Sequence, residues 1–307
     1  MVTVVALAGA GVLYLAARER SFTGGGKVVD ANLSAASRTV QAPVRNAADN
    51  AGNALQDAGK NLKQTAGSDK HRGETGAGGA RYALGMEAEA ISIPIDGAES
   101  VSGLWQAAAE ARACLVLAHG AGAGMTHRAM AAIADGLAER GVASLRYQFP
   151  YMEKGGKRVD PPAIAHATVR AAVAEARRRA GALPLFAGGK SFGGRMTSQA
   201  QALEPLEGVR GLIFFAFPLH PAGKPSDERA AHLSAVAIPM LFLQGTKDAL
   251  ADVGLLKPVI ARLGDRATLK LTEDADHAFH VPAKTGRKDA DVLAEFLDAA
   301  AAWMAAH

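Results

Sequence analysis

The chain has 307 residues, 49% of them hydrophobic, enough apolar side chain to fill a sizeable core and to exclude a mostly disordered protein. Its one cysteine, Cys114, excludes an intramolecular disulfide and, inside the apolar run "ACLVLAH", is expected to be a small core residue. The net charge of +4 sits wholly in residues 1–85, which carry ten Lys or Arg against six Asp or Glu; residues 86–307 carry 24 of each, so the main body lacks the net charge that would hold nucleic acid.

The chain opens on "MVTVVALAGAGVLYLAA", uncharged until Arg18, Glu19 and Arg20. As a helix this stretch would span about 25 Å, at the short edge of what a bilayer requires. A signal peptide normally carries its positive charge before the apolar core, and here the charge follows it. That asymmetry predicts an uncleaved anchor over residues 1–20 with the following residues in the cytoplasm, placing the protein there or on the cytoplasmic face of a membrane. A short hydrophobic tail packed on protein is the alternative. Residues 21–85, rich in Ala, Gly, Asn, Gln and Asp and interrupted by Pro43, read as a flexible, partly helical tether with no chemistry of its own.

From Met86 to residue 307 the pattern is regular. "AISIPI" and "SGLWQA" are predicted to pair antiparallel around Asp96-Gly97. The apolar runs "CLVLAH", "ASLRYQF", "PLFAGG", "LIFFAF", "MLFLQG" and "TLKLTE" follow. Helical patterns separate them: "HRAMAAIADGLAERG", "AIAHATVRAAVAEARRRAG", "GGRMTSQAQAL", "DERAAHLSAV", "GLLKPVIARLG" and "DADVLAEFLDAAAAWMAA". Continuous apolar strands alternating with amphipathic helices predict an α/β fold of about eight mostly parallel strands covered on both faces, with the first two strands as an antiparallel edge.

Between the fifth strand and the next helix lies "GGKSFGGRM". Its Gly-Lys-Ser resembles the end of a phosphate-binding loop, but such a loop needs glycine five positions before the Gly189 of that triplet, and Pro184 stands there. Read instead as G-x-S-x-G, the segment is a strand–turn–helix elbow presenting Ser191 as a nucleophile. A serine hydroxyl needs a base to take its proton and a third group to orient that base, in the chain order Ser, Asp or Glu, His for this arrangement. "LFLQGTKDAL" supplies Asp248 after the seventh strand, and "LTEDADHAFH" supplies His277 after the eighth. All three emerge at carboxyl ends of neighbouring strands, where open parallel sheets build their sites.

Asp274 and Asp276 lie closer to His277 in sequence, but residues along one loop diverge, so solvated or capping roles are expected of them. His280 makes H-x-x-H with His277; without a Cys cluster, H-E-x-x-H or facial carboxylate, no metal and no cofactor is expected. His127, His166 and His232 fall in helical patterns and read as surface or packing residues. "HGAGAGM" after the third strand occupies the place from which a backbone N–H reaches the oxyanion, so Ala121 and Phe192, the residue after the nucleophile, are the expected donors.

With "AHGAGAGM", "LRYQFPYME", "AGGKSFGGRM", "FPLHPAGKP" and "LFLQGTKDAL", the chain from Met86 onward resembles the α/β-hydrolase superfamily. Within it, these motifs are similar to the testis-expressed and NSL-complex-subunit branch near the dienelactone hydrolases. The resemblance implies the superfamily fold and carries the triad onto Ser191, Asp248 and His277. It implies no particular substrate, and that branch includes members acting as complex subunits. The expected function is hydrolysis of an ester or related acyl bond in a small molecule. The alternative is a catalytically weak or inactive domain used for binding or scaffolding. Only "FPLHPAGKPSDE" separates the sixth strand from the next helix, too little for a helical cap, so exposed or short-chain substrates are expected. Cations in the loops around the site suggest an anionic substrate, with Lys190, Arg195 and His220 as binding candidates; structural pairing is the competing reading for each.

Overall fold

The structure, a computed structural model, describes residues 88–96 and 99–307. The expected anchor at 1–20 and tether at 21–85 lie outside the described residues. Eight strands form one sheet: β1 Glu89–Asp96, β2 Glu99–Gln106, β3 Ala113–Ala118, β4 Val142–Tyr147, β5 Leu185–Lys190, β6 Val209–Phe215, β7 Met240–Gly245 and β8 Ala267–Thr272. Their order across the sheet is β1-β2-β4-β3-β5-β6-β7-β8. β1 with β2 and β2 with β4 run antiparallel, and every pair from β4 to β8 is parallel. The antiparallel edge and the parallel body are as the alternation of apolar runs and helical patterns predicts.

The helices are α1 Arg128–Ala138, α2 Pro150–Glu153, α3 Pro162–Ala180, α4 Phe192–Leu203, α5 Val253–Leu263 and α6 Asp289–Ala306. Side chains alternate across a strand, and the alternation divides the core in two. Cys114, Val116 and Ala118 of β3 join Leu212, Phe214, Met240 and Phe242 in the layer under Val169, Ala172, Met196, Ala200 and Leu256 from α3, α4 and α5. Leu115 and Leu117 join Phe186, Ile213, Phe215, Leu241 and Leu243 under Met130, Ile133, Leu137, Val292, Phe296 and Trp303 from α1 and α6. Both faces of the central strands are therefore apolar, which is why these strands read as unbroken hydrophobic runs.

Two local features depart from the sequence reading. "DERAAHLSAV" forms a 3-10 helix over Glu228–Ala235. Its buried residues are Ala230 and Leu233, three apart, which suits three residues per turn better than an α-helical face. After β4, ahead of the next predicted helical pattern, the chain forms α2, which Pro150 can open because the first helical turn needs no N–H there. Residues 216–239 connect β6 to β7 with no helical cap. Among the described residues, no helix is long and apolar enough to cross a membrane.

Candidate active site

Ser191 is the single residue between β5 and α4. Its backbone lies at φ 51° and ψ −116°, a conformation sterically costly for a residue with a Cβ. The turn is held on both sides: Ser191 N–H donates to Phe215 O at 3.0 Å, and Ser191 O accepts from Arg195 N–H at 3.1 Å. The glycines of G-x-S-x-G are places of close approach. A Cβ on Gly189 would overlap the Ala118 carbonyl, and one on Gly193 would meet His119 O at 2.5 Å and Ala118 C at 2.6 Å. The elbow is thus pressed against the end of β3, where the "HGAGAGM" loop begins.

His277 follows β8 in a loop shaped by Asp276, whose Oδ1 accepts from Ala278 N–H at 2.7 Å and His280 N–H at 2.9 Å. Asp276 therefore caps a turn, one of the two roles expected of it. His280 pairs with Asp289, Nδ1 to Oδ2 at 3.0 Å. Among the described residues no three His, Cys, Asp or Glu side chains gather to hold a metal ion.

The structure brings Ser191, His277 and Asp248 into one hydrogen-bonded chain. Ser191 Oγ lies 2.8 Å from His277 Nε2, and His277 Nδ1 lies 2.7 Å from Asp248 Oδ2. A carboxylate can only accept, so Nδ1 carries the imidazole proton and Nε2 is left to accept from the serine hydroxyl. The Asp248 side chain is fully buried while that of His277 is 27% exposed. Asp248 Oδ1 accepts from Leu250 N–H at 2.7 Å, and Oδ2 also accepts from the amide of Gln244 on β7. Three donors on one buried carboxylate fix its direction.

The N–H groups of Ala121, on the turn after β3, and of Phe192, at the first position of α4, where helical geometry provides no partner, face no protein acceptor among the described residues. The loop carrying Ala121 is braced by His119, which is fully buried. Its Nδ1–H donates to Gly120 O at 2.8 Å, and its Nε2 accepts from Phe149 N–H at 3.1 Å. Burial pushes its pKa down to about 4, so the ring stays neutral and can donate and accept at once. The Tyr151 hydroxyl of α2 accepts from Gly122 N–H at 3.3 Å, and its ring packs edge-on to Phe192. Sequence reasoning assigned no role to Gln244, His119 or Tyr151. The His-Gly pair at the end of an apolar strand was a signal for His119; nothing in sequence pointed to the other two.

The three cations expected to meet substrate have different fates. Lys190 Nζ donates to His277 O at 2.7 Å and lies 4.3 Å from the Phe279 ring centroid, and burial lowers its pKa to about 8. Its head group therefore clamps the histidine loop. Both ring nitrogens of His220 are engaged, Nε2 accepting from Asp252 N–H at 2.9 Å and Nδ1–H donating to Pro221 O at 2.9 Å, which steadies the loop beyond Asp248. Among the described residues the Arg195 guanidinium has no acceptor: its Nε is enclosed and unpaired.

A protein family described as alpha/beta hydrolase domain matches residues 111–305. Similar solved structures include a lidless α/β serine hydrolase from Xanthomonas campestris, with a TM-score of 0.57 and 22% identity, covering 71% of this chain and 95% of that one. A dienelactone hydrolase from Anabaena variabilis has a TM-score of 0.59 and 19% identity, with 72% and 98% covered. The esterase domain of a Rhodothermus marinus protein has a TM-score of 0.55 and 14% identity, with 71% and 98% covered.

Proposed function

The chain belongs to the α/β-hydrolase domain family, and from that membership we propose that it is a serine hydrolase cleaving an ester or related acyl bond of a small molecule. The observation that carries the reading is the continuous chain from Ser191 Oγ through His277 to the buried Asp248 carboxylate, with links of 2.8 and 2.7 Å. Ser191 Oγ attacks the acyl carbon as His277 Nε2 takes its proton. Asp248, unable to leave its three donors, stabilises the resulting imidazolium and keeps the ring's orientation. The oxyanion of the tetrahedral intermediate accepts from the N–H groups of Ala121 and Phe192, neither of which has another acceptor among the described residues. The imidazolium then protonates the leaving group, and water, activated by the same nitrogen, releases the acyl group from Ser191.

The uncapped connection between β6 and β7 leaves the serine accessible from above, which suits short-chain or exposed esters. The test is hydrolysis of p-nitrophenyl acetate together with labelling by a fluorophosphonate probe. Ser191→Ala is expected to lose both, with a fall in kcat of several orders of magnitude. Wild-type protein that neither hydrolyses the ester nor takes the label would instead support a non-catalytic binding module on the same fold. We also propose that residues 1–20 anchor the chain at a membrane, on the strength of the uncharged stretch ahead of Arg18.

A further inference from the structure

Arg195 stands four residues beyond Ser191, and residues at that spacing share a helix face. Helical side chains lean toward the N-terminus. In keeping with this, the guanidinium carbon of Arg195 lies 6.0 Å from the ring centroid of Phe192, folded back toward the elbow. The group is half-buried, with no carboxylate acting on it among the described residues. Burial disfavours the Arg195 cation, and so does the like charge of Arg229, on the 3-10 helix that packs against α4.

Two histidines complete the surroundings. His232 Nε2 lies 2.8 Å from the Ser198 hydroxyl, and His166 Nε2 of α3 lies 3.2 Å from Gln199 Oε1, so both rings meet α4 one turn past Arg195. Burial and then Arg195 push the His232 pKa down to about 4, and burial, Arg170 and then Arg195 lower that of His166. Of the acids nearby, Glu228 beside Arg229 is in no ion pair among the described residues, and three others are engaged with other arginines. Asp227 pairs with Arg262 at 2.6 Å, Glu204 with Arg170 at 3.5 Å, and Glu175 with Arg178 and Arg179 at 2.7 Å each. A half-buried guanidinium with a like charge acting on it is unfavourable until an anion compensates it. The positive end of α4 adds to the same field.

We propose that Arg195 and Arg229 form an anion subsite beside Ser191 that holds a carboxylate on the substrate, a few bonds from the scissile carbonyl. Its use in catalysis rests on the serine-hydrolase reading; its existence does not. The helical rise between Ser191 and Arg195 is about 6 Å, which sets the scale of the separation. The substrates so defined are half-esters of short dicarboxylic acids, or esters of small alcohols or phenols bearing a carboxylate. Arg is suited to this because its planar fork matches a carboxylate and its charge does not titrate.

The experiment compares kcat/KM within two matched pairs on the full chain. One is p-nitrophenyl hydrogen adipate against its methyl ester; the other is para-acetoxybenzoate against its methyl ester. At least one pair is expected to favour the anion by about tenfold in the wild type. In Arg195→Gln and in Arg229→Gln the preference is expected to fall toward unity. The ratio is internal to each variant, so a general loss of active protein cancels. A wild-type ratio near one in both pairs, or a preference that survives both substitutions, would overturn the subsite. Should no ester be hydrolysed by any form, the hydrolase reading fails, and thermal shift with adipate decides the subsite separately. Stabilisation of the wild type that disappears in Arg195→Gln supports it, and no stabilisation of the wild type overturns it.

Discussion

Lys190 illustrates how a residue next to a nucleophile can serve it indirectly. Its backbone ends β5 and its side chain crosses to the His277 carbonyl at 2.7 Å, tying the elbow to the loop that carries the base. Removing the ammonium leaves that carbonyl without its donor and the Phe279 face without its cation, so the loop gains freedom at the imidazole. Lys190→Met is therefore expected to lower kcat by about tenfold, on the scale at which small misplacement of a catalytic group is felt, while changing KM much less. Steady-state kinetics on a neutral p-nitrophenyl ester check it; a change confined to KM would return Lys190 to a substrate-contact role. At the same scale, the buried neutral His119 makes stability sensitive to acid. Its pKa is lowered from 6.5 to about 4 in the folded chain, so as pH falls through 6.5 the unfolded chain takes a proton that the folded chain refuses. The stabilisation is whole above pH 6.5 and is lost between there and about 4, at no more than about 1.4 kcal/mol per pH unit for this residue. His232, shifted the same way but more open to solvent, adds a smaller share in the same window. Denaturant unfolding at a series of pH values is expected to show the decline, and His119→Gln to flatten it.

Among the elements, α4 and β5 meet at a joint made possible by glycine. Gly193 sits in the first turn of α4 with the Ala118 and His119 backbone where a side chain would go. Gly193→Ala cannot be relieved by rotating a neighbour's side chain, because the obstruction is main chain. It is expected to cost about 2 kcal/mol or more, at the upper end of overpacking penalties, and to move Phe192 N–H away from the loop of Ala121. Urea unfolding and ester hydrolysis measured together check this; loss of neither would mean that the joint is softer than its packing implies. The sequence made this joint legible, because G-x-S-x-G falls between an apolar strand and an amphipathic helix. It did not reveal α2, whose four residues are too few for a periodic pattern, nor the 3-10 character of Glu228–Ala235.

For the molecule as a whole, the open parallel sheet brings β3, β5, β7 and β8 to one edge, and their following loops surround Ser191. The N-terminal stretch bears on where that edge operates. Full-length chain is expected to fractionate with membranes and a chain beginning at Met86 to remain in the supernatant. The same distribution for both would remove the proposed anchor.

By itself the sequence determined the class of fold, the order of its strands and of its longer helices, and the positions of Ser191, Asp248 and His277 at strand ends. These follow from local physics: hydrophobic period, glycine at a turn that needs it, and the rule that parallel strands present their carboxyl ends together. The tertiary structure decided which polar groups are satisfied and by what. Lys190, Arg195 and His220 look alike in sequence as basic residues around the site, yet Lys190 holds the His277 carbonyl, His220 holds the loop after Asp248, and Arg195 is left with the like charge of Arg229 acting on it. Gln244 at the end of β7 and Tyr151 in α2 gain their roles from the same source. The strength and meaning of a polar contact depend on distance, burial and the partner's own commitments, and those are set by residues tens of positions apart in the chain.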